Sequence, residues 1–322
     1  MIEEIFPRLY KINIPLPKNP LIFVNSYVIS DGNRNLIIDT GLNQDDSFIT
    51  MQFCLKKIGV DLSKTDFFIT HFHADHIGLL GKLADRNSRI YFNEPDSALI
   101  SAGGLWDETI EFHNRLGYPM QKLIDFLVEQ PAYRYFEKGN LQFNTVFNGD
   151  EINFGDYRFI CVATPGHTRG HMCLYEPDKK FLISGDHIID DISPNISQWF
   201  ENENPVAEYL DSLDKVSKLD IEVVLPGHRS LIHDCNNRID ELRKHHQTRI
   251  DDIINILKTG PGDVYAVASK MKWDINDFGW DDFPVFQQWF AFCEALAHLT
   301  YLVSKDLINK TVSENGIVYS II

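Results

Sequence analysis

The segment Thr70-His71-Phe72-His73-Ala74-Asp75-His76-Ile77-Gly78 decides how this chain is interpreted. Three histidines and one aspartate lie within six residues, directly after the short apolar strand predicted at Asp66–Thr70. In a turn from a strand into a helix, side chains with this spacing can converge. Imidazole and carboxylate groups at this density suit Zn, Fe or Mn without any thiolate. A solvated loop that happens to be rich in histidine is the alternative, and so specific a pattern disfavours it.

Three further candidate ligands, His167, Asp186 and His228, each follow a short apolar strand and at least one glycine. Glycine allows the backbone to turn sharply and to approach other groups closely. Open α/β sheets bind ligands at the carboxyl ends of their strands. The repeated order of strand, glycine and then His or Asp therefore predicts one site that is built from several strand ends.

Strands and helices alternate on both sides of these motifs. Strands are predicted at Leu9–Ile14, Phe23–Ser30, Asn35–Asp39, Arg89–Asn93, within 141–183 and at Ile221–Leu225, and helices at 44–58, 78–86 and 205–219. Residues 95–140 carry apolar side chains at helical spacing, so we expect a helical insertion there. Beyond residue 236, helices are predicted at 238–258, Val264–Met271 and Phe283–Asp306, followed by a terminal hairpin.

The histidine and aspartate motifs together resemble, in order, the five metal-binding motifs of the metallo-β-lactamase-fold hydrolase superfamily, over about residues 7–230. The resemblance implies an α+β fold: an αββα sandwich with the site at one edge, here with a helical insertion. It implies a catalytic domain at 1–235 with the insertion at 95–140. Residues 236–322 resemble, through helix order alone, the small winged-helix-like, mostly helical C-terminal domain of lactamase-β-2-like proteins.

The same resemblance implies a ligand set and a mechanism. One metal ion would be held by His71, His73 and His167, the other by Asp75, His76 and His228, with Asp186 bridging them. Two divalent ions, Zn with Fe or Mn as alternatives, would lower the pKa of a bridging water and so provide hydroxide as the nucleophile. Asp75 would also act as the general base.

Individual residues refine this assignment. His73 stands where flavodiiron proteins usually carry a carboxylate, so the resemblance implies the hydrolytic branch. The main β-lactamases place a cysteine on the second metal, and the absence of cysteine at positions 186 and 228 separates this chain from them. Asp39 matches an aspartate that orients a ligand histidine, with a simple turn acid as the alternative. His171 is expected to be orienting or structural. His187 either lines the site or packs in a loop, and Arg169 either meets an anionic substrate or is solvated.

Three functions remain open. The first is hydrolysis of an acyl thioester or a similar small carbonyl ester, with lactone hydrolysis as a variant, and the second is cleavage of phosphodiesters or RNA. The third is non-catalytic binding, which is disfavoured because all seven ligand positions are present. The chain has 30 Lys and Arg against 46 Asp and Glu, a net charge of −16. This excess disfavours polyanionic partners and anionic membranes. Residues 237–322 carry nine basic and twelve acidic residues, so the C-terminal domain is expected to pack or to shape the substrate site rather than bind nucleic acid.

The remaining expectations concern the number of domains, the cellular compartment, the partners and the role of the insertion. The 322 residues suggest about two domains. The five cysteines are scattered and the N-terminus lacks a secretory pattern, so a reducing cytoplasm is expected. The partner is expected to be a small acyl substrate, with a homodimer left open. The apolar residues of the insertion either pack it onto the sandwich or onto a partner subunit, or form a wall or lid beside the metals; they are Leu105, Trp106, Phe112, Leu116, Tyr118, Met120, Phe126, Tyr133, Tyr135 and Phe136.

Overall fold

The computed structural model describes residues 1–17, 19–102, 106–129, 141–273, 279–313 and 316–322, without the side chains of Trp106 and residues 126–129. By their backbone contacts the described residues form two compact units. The first comprises the described residues of Met1–Ala102, Pro131–Pro194 and Ser212–Ile239. The second comprises those of Gly103–Gln130, Asn195–Asp211 and Asp240–Ile322.

The first unit contains a seven-stranded sheet whose strands lie in chain order. They are β1 (Ile2–Phe6), β2 (Leu9–Pro15), β3 (Phe23–Ser30), β4 (Asn35–Ile38), β5 (Thr65–Phe68), β6 (Ile90–Asn93) and β7 (Asn144–Val146). Strands β1 to β4 pair antiparallel, and β4 to β7 pair parallel. The parallel strands are joined through helices, as crossover geometry requires. These are α1 (Asp45–Lys57), α2 (Ala74–Ile77), α3 (Leu80–Leu83) and α4 (Glu94–Ser101).

A second sheet of five strands lies in the same unit, in the order β12-β11-β10-β9-β8. Its strands are β8 (Glu151–Phe154), β9 (Tyr157–Ala163), β10 (Met172–Glu176), β11 (Phe181–Gly185) and β12 (Val223–Pro226). All neighbours pair antiparallel except β11 and β12, which are parallel. Strands β9, β11 and β12 therefore run in one direction, and their carboxyl ends lie at one edge of the sheet.

The two sheets pack face to face, and α1 covers the outer face of the first one. On β4, Leu36 and Ile38 belong to the cluster between the sheets, whereas Ile37 belongs to the outer cluster with Met51 of α1. This alternation is the two-residue period of a strand that is buried on both faces. The second sheet contributes Phe159, Leu174, Phe181 and Leu225 to the cluster between the sheets.

The second unit is largely helical. It contains α5 (Trp106–Arg115), α6 (Met120–Glu129), α9 (Val264–Ala268), α10 (Val285–Ser304) and the hairpin of β13 (Ile308–Ser313) and β14 (Gly316–Ile321). Two longer helices, α7 (Pro205–Val216) and α8 (Cys235–Lys258), contribute residues to both units. A separate buried cluster forms its core, in which Leu116, Leu123, Ile253, Phe292 and Leu299 take part.

The predicted fold class is confirmed: the chain has an αβ sandwich with a helical C-terminal region. The sequence analysis missed β1, and its helix at 78–86 is shorter in the structure, where α3 spans Leu80–Leu83 and a separate single turn, α2, precedes that range at Ala74–Ile77. The domain boundary at 235/236 and the winged-helix assignment stay predictions. All five cysteines are buried and unpaired. Among the described residues there is no helix of sufficient length and apolarity to cross a bilayer.

Candidate metal centre

The structure brings together all seven residues that the resemblance implied as ligands. Three groups of side chains each present ligand atoms within 4.8 Å of one another. They are His71 with His73 and His167; Asp75 with His76 and His228; and His71 with His76 and Asp186. The four residues of the first motif, between positions 71 and 76, follow β5. The other three, His167, Asp186 and His228, follow β9, β11 and β12, respectively. The site therefore forms where the carboxyl ends of strands from both sheets meet.

Asp186 lies between the two histidine groups. Its Oδ2 is 3.4 Å from His228 Nε2 and 3.7 Å from His167 Nε2, and its Oδ1 is 3.5 Å from His76 Nε2. Asp75 Oδ2 lies 3.3 Å from His228 Nε2. This arrangement is compatible with the bridging position that the resemblance implied for Asp186.

Asp39 sets the orientation of two of the histidines. Its Oδ2 accepts hydrogen bonds from His76 Nδ1 at 2.7 Å and from Thr70 Oγ1 at 2.8 Å. Because the Thr70 hydroxyl donates to Asp39, its oxygen accepts from His71 Nδ1 at 3.0 Å. A carboxylate can only accept, so this network places a proton on Nδ1 of both imidazoles and directs both Nε2 atoms into the cluster. Asp39 is thus more than a turn acid.

His228 and His171 are held in similar ways. His228 Nδ1 donates to the carbonyl of Phe23 at 2.9 Å, which again leaves Nε2 for the cluster. His171 Nε2 accepts from the backbone N–H of Asp186 at 3.1 Å, and its Nδ1 donates to Thr164 Oγ1 at 2.7 Å. His171 therefore orients the backbone of Asp186, and its ring offers no free lone pair to a metal.

Glycine is required at position 227. A Cβ there would overlap the carboxylate of Asp186 and would approach the ring of His76 to 2.8 Å. The Gly that precedes His228 therefore allows β12 to pass directly beneath the cluster.

The electrostatics divide the cluster into two halves. Burial, together with the neighbouring imidazoles, lowers the pKa of His71 and lowers the pKa of His73 to about 3. Burial also opposes protonation of His76 and His228, but Asp186 and Asp75 outweigh it and raise the pKa of His228 to about 10. One half is therefore a set of neutral imidazoles, and the other concentrates negative charge that requires a cation.

These features fit divalent metal ions. The buried atoms His71 Nε2, His76 Nε2, His228 Nε2 and Asp186 Oδ1 have no hydrogen-bond partner among the described residues. Unpaired buried polar atoms are costly, and a metal ion satisfies them. Nitrogen and oxygen donors without thiolate suit Zn, Fe or Mn.

Other predicted residues lie in different environments. Arg169 is exposed, and His187 is fully buried with its ring centre 6.1 Å from that of His171. In the insertion, Phe112, Leu116 and Tyr118 are buried in the core of the second unit, which favours the packing interpretation for them. Leu105, Tyr133, Tyr135 and Phe136 lie outside the described residues, as do the side chains of Trp106 and Phe126; Met120 is exposed.

Sequence reasoning missed Asp96, which lies in the first turn of α4 and is 1% exposed. Its carboxylate accepts hydrogen bonds from Phe72 N, Thr168 Oγ1 and Gly170 N. Burial raises the pKa of Asp96 to about 6, although these hydrogen bonds lower it. No motif marks it, because an acid at the start of a helix is common.

The sandwich with a His- and Asp-lined cluster at the strand ends defines a metallohydrolase-like fold. The family model of the metallo-β-lactamase superfamily matches residues 19–228, a range that contains all seven converging residues. The chain belongs to this superfamily.

Individual relatives are distant in sequence. The chain is 26% identical over 255 residues to the "Probable metallo-hydrolase YqjP" of Bacillus subtilis, and the matched region covers 74% of this chain and 78% of that protein. It is 25% identical over 260 residues to the "Atrochrysone carboxyl ACP thioesterase" of Passalora fulva, covering 77% and 61%. The crystal structure of a metallo-beta-lactamase family protein from Thermus thermophilus matches with a TM-score of 0.83 and 26% identity, covering 99% of this chain and 100% of that one.

Several curated relatives are longer than the matched region. This chain spans 60 to 65% of the length of three lactamase-like relatives, among them the "Beta-lactamase-like protein 2 homolog" of Caenorhabditis elegans, to which it is 25% identical over 239 residues, 73% of this chain.

Proposed function

We propose that this chain is a hydrolase that binds two divalent cations, zinc in the first place, and cleaves an acyl thioester or a similar small carbonyl ester. One observation carries the proposal. Seven buried or half-buried His and Asp side chains converge in three overlapping groups, and the group that contains Asp186 shares His71 with one of the others and His76 with the second; several of their facing atoms have no hydrogen-bond partner among the described residues. When bound, divalent cations activate water and polarise a carbonyl oxygen.

The residues of the chain supply the remaining requirements. Asp39 and Thr70 hold the imidazoles of His76 and His71 with their Nε2 atoms directed into the cluster. These atoms need no reorganisation before they bind a cation, and such preorganisation raises metal affinity. The neutral state of His71 and His73 at neutral pH also leaves their lone pairs available.

Asp75 is the carboxylate of the cluster that solvent reaches best. Its side chain is 20% exposed, compared with 8% for Asp186. The surrounding histidines hold the pKa of Asp75 below its usual range despite burial, so it is ionised and can accept a hydrogen bond from water. We assign to Asp75 the role of orienting the attacking water and holding its proton.

The carbonyl substrate class is supported by charge and by similarity. A net charge of −16 disfavours long polyanions such as RNA, whereas a small acyl ester is recognised through its reacting carbonyl. The similarity to a fungal protein named as an acyl-carrier-protein thioesterase supports a thioester in particular.

A substrate screen tests this proposal. Zinc-replete protein would be assayed against an acyl-CoA thioester, a lactone, a phosphodiester and a short RNA. We expect turnover of the thioester or of another carbonyl ester. Turnover of the phosphodiester or RNA without any carbonyl substrate would refute the substrate class.

Variants separate the site from the fold. Asp75→Asn and His167→Ala are expected to abolish hydrolysis while the circular dichroism spectrum stays as in the wild type. Asp178→Asn is the matched control, since Asp178 is an aspartate of the same unit whose side chain is 70% exposed. Full activity in both site variants would show that the assignment is wrong.

A further inference from the structure

Two loops of the cluster are tied together by one carboxylate. Asp96 Oδ2 accepts from the backbone N–H of Phe72 at 3.0 Å and from Thr168 Oγ1 at 2.7 Å, and Asp96 Oδ1 accepts from the N–H of Gly170 at 2.6 Å. Phe72 lies between His71 and His73, and Thr168 directly follows His167. The three donors therefore belong to the two segments that carry one histidine group.

The hydrogen bonds between Asp96 and the His167 loop are buried and closely packed. Asp96 is 1% and Thr168 is 5% exposed, so water cannot replace a lost hydrogen bond without rearrangement. A Cβ at position 170 would lie 2.6 Å from atoms of Asp96, so glycine is needed for the loop to approach the carboxylate. The two segments follow strands of different sheets, β5 and β9, and Asp96 bonds to residues of both.

We propose that Asp96 is a positioning residue that locks the His71–His73 segment to the His167 loop and thereby sets the affinity of one of the two metal positions. The effect is selective, because the donors to Asp96 among the described residues are Phe72 N, Thr168 Oγ1 and Gly170 N, and none of them belongs to Asp75, His76 or His228. Asp39 and Phe23 orient His76 and His228 instead. This inference rests on the proposed metal binding and adds a residue that determines which position fills first.

Zinc titration tests the proposal without an activity assay. Protein freed of metal by a chelator would be titrated with zinc in competition with a chromophoric chelator, which resolves two binding constants. Loss of an outer hydrogen-bonding partner typically weakens metal binding about 10- to 100-fold. For Asp96→Asn we expect one constant to fall by that factor and the other to stay at its wild-type value.

A pair of variants at position 168 tests the same contact even if the Asp96→Asn variant does not fold. Thr168→Val removes one of the three donors and is expected to weaken the same constant about tenfold. Thr168→Ser keeps the hydroxyl and is expected to restore wild-type affinity. With a limiting zinc supply, kcat should fall in Asp96→Asn at unchanged KM and recover in excess zinc, which a general folding defect would not do.

Double variants identify which of the two metal positions Asp96 affects. Asp96→Asn should add little to His167→Ala, because both act on one metal position, and should be additive with His228→Ala. Asp66→Asn is the matched control for a buried carboxylate, since Asp66 is fully buried and is bonded by Arg34 and Arg89 at the opposite end of β5.

The outcomes are distinct. Wild-type zinc affinities at both positions in Asp96→Asn would overturn the positioning role, as would an equal loss at both positions in Asp96→Asn and Asp66→Asn. Wild-type protein that binds no zinc would overturn the proposed function together with this inference.

Discussion

The substitution Asp39→Asn tests the origin of the cluster's geometry. Asp39 is 2% exposed and accepts three hydrogen bonds, from His76 Nδ1, Thr70 Oγ1 and Thr70 N at 2.7 to 2.9 Å. Asparagine has the same shape but only one acceptor atom. If its NH₂ group faces His76, that imidazole must move its proton to Nε2, the atom directed into the cluster. If it faces Thr70 N, two donors oppose each other.

The magnitude follows from the lost bond. A hydrogen bond to a charged group contributes about 1.5 to 3 kcal/mol. Since about 1.4 kcal/mol corresponds to a tenfold change in affinity, Asp39→Asn should weaken zinc binding by roughly 10- to 100-fold. His71 is affected as well, because Thr70 transmits the orientation of Asp39 to it.

The assay is competition for zinc against a chromophoric chelator, with circular dichroism as the check on folding. Asp66→Asn again serves as control: it should lower the free energy of unfolding and leave zinc affinity unchanged. If Asp39→Asn binds zinc as tightly as the wild type, the orientation argument is wrong.

Three further predictions follow from the same structure. Removal of metal should lower the melting temperature, because each position stabilises the fold by about 2.7 kcal/mol when zinc is present at about 100 times its Kd; identical melting curves with and without chelator would contradict this. Gly227→Ala should reduce the zinc content measured by elemental analysis while the fold persists, since a Cβ would overlap the Asp186 carboxylate. In the second unit, burial lowers the pKa of His113 to about 4, although its hydrogen bond to the Gln198 carbonyl opposes this. The unfolded state thus binds a proton more readily, and stability associated with His113 is lost as pH falls from about 6.5 to 4, on the order of 3 kcal/mol in all. His113→Gln should show a shallower decline of unfolding free energy in urea titrations over that range, and an unchanged slope would refute the assignment.

Much of the site could be predicted because its information is local in sequence. Short apolar runs followed by glycine and then His or Asp mark strand ends, and parallel direction places such ends at one edge. The short helices around His76 could not be predicted in the same way. A 3.6-residue apolar period across 78–86 does not show that the helix there is the single turn Leu80–Leu83, or that a separate turn, Ala74–Ile77, precedes it.

The supporting residues were less accessible. Asp96 and Thr164 are ordinary residue types, and Thr70, although it directly precedes the first histidine of the motif, carries no signal of its own role. The role of Asp96 depends on partners that are 24 to 74 positions away, and that of Thr70 depends on Asp39, which accepts its hydroxyl proton from 31 positions away. Only the pairing of strands and the packing of the two sheets bring such partners within hydrogen-bond distance.

Tertiary packing also decided which helical segments share a core. The sequence predicts that residues 95–140 belong to a first domain; the described residues of 103–130 cluster by backbone contacts with those of 195–211 and 240–322. Apolar residues such as Leu116 and Leu123 show helical spacing in the sequence, but that spacing does not specify which helix they will face.

The sequence by itself determined which His and Asp side chains converge, the strand ends that carry them and the superfamily, because each rests on residue types at short, regular spacing. The tertiary structure decided which imidazole nitrogen faces the cluster, which carboxylate joins the two loops and which helices share a core. Those properties depend on hydrogen bonds and contacts between segments far apart in the chain, and such pairings are formed only when the sheets and helices have packed.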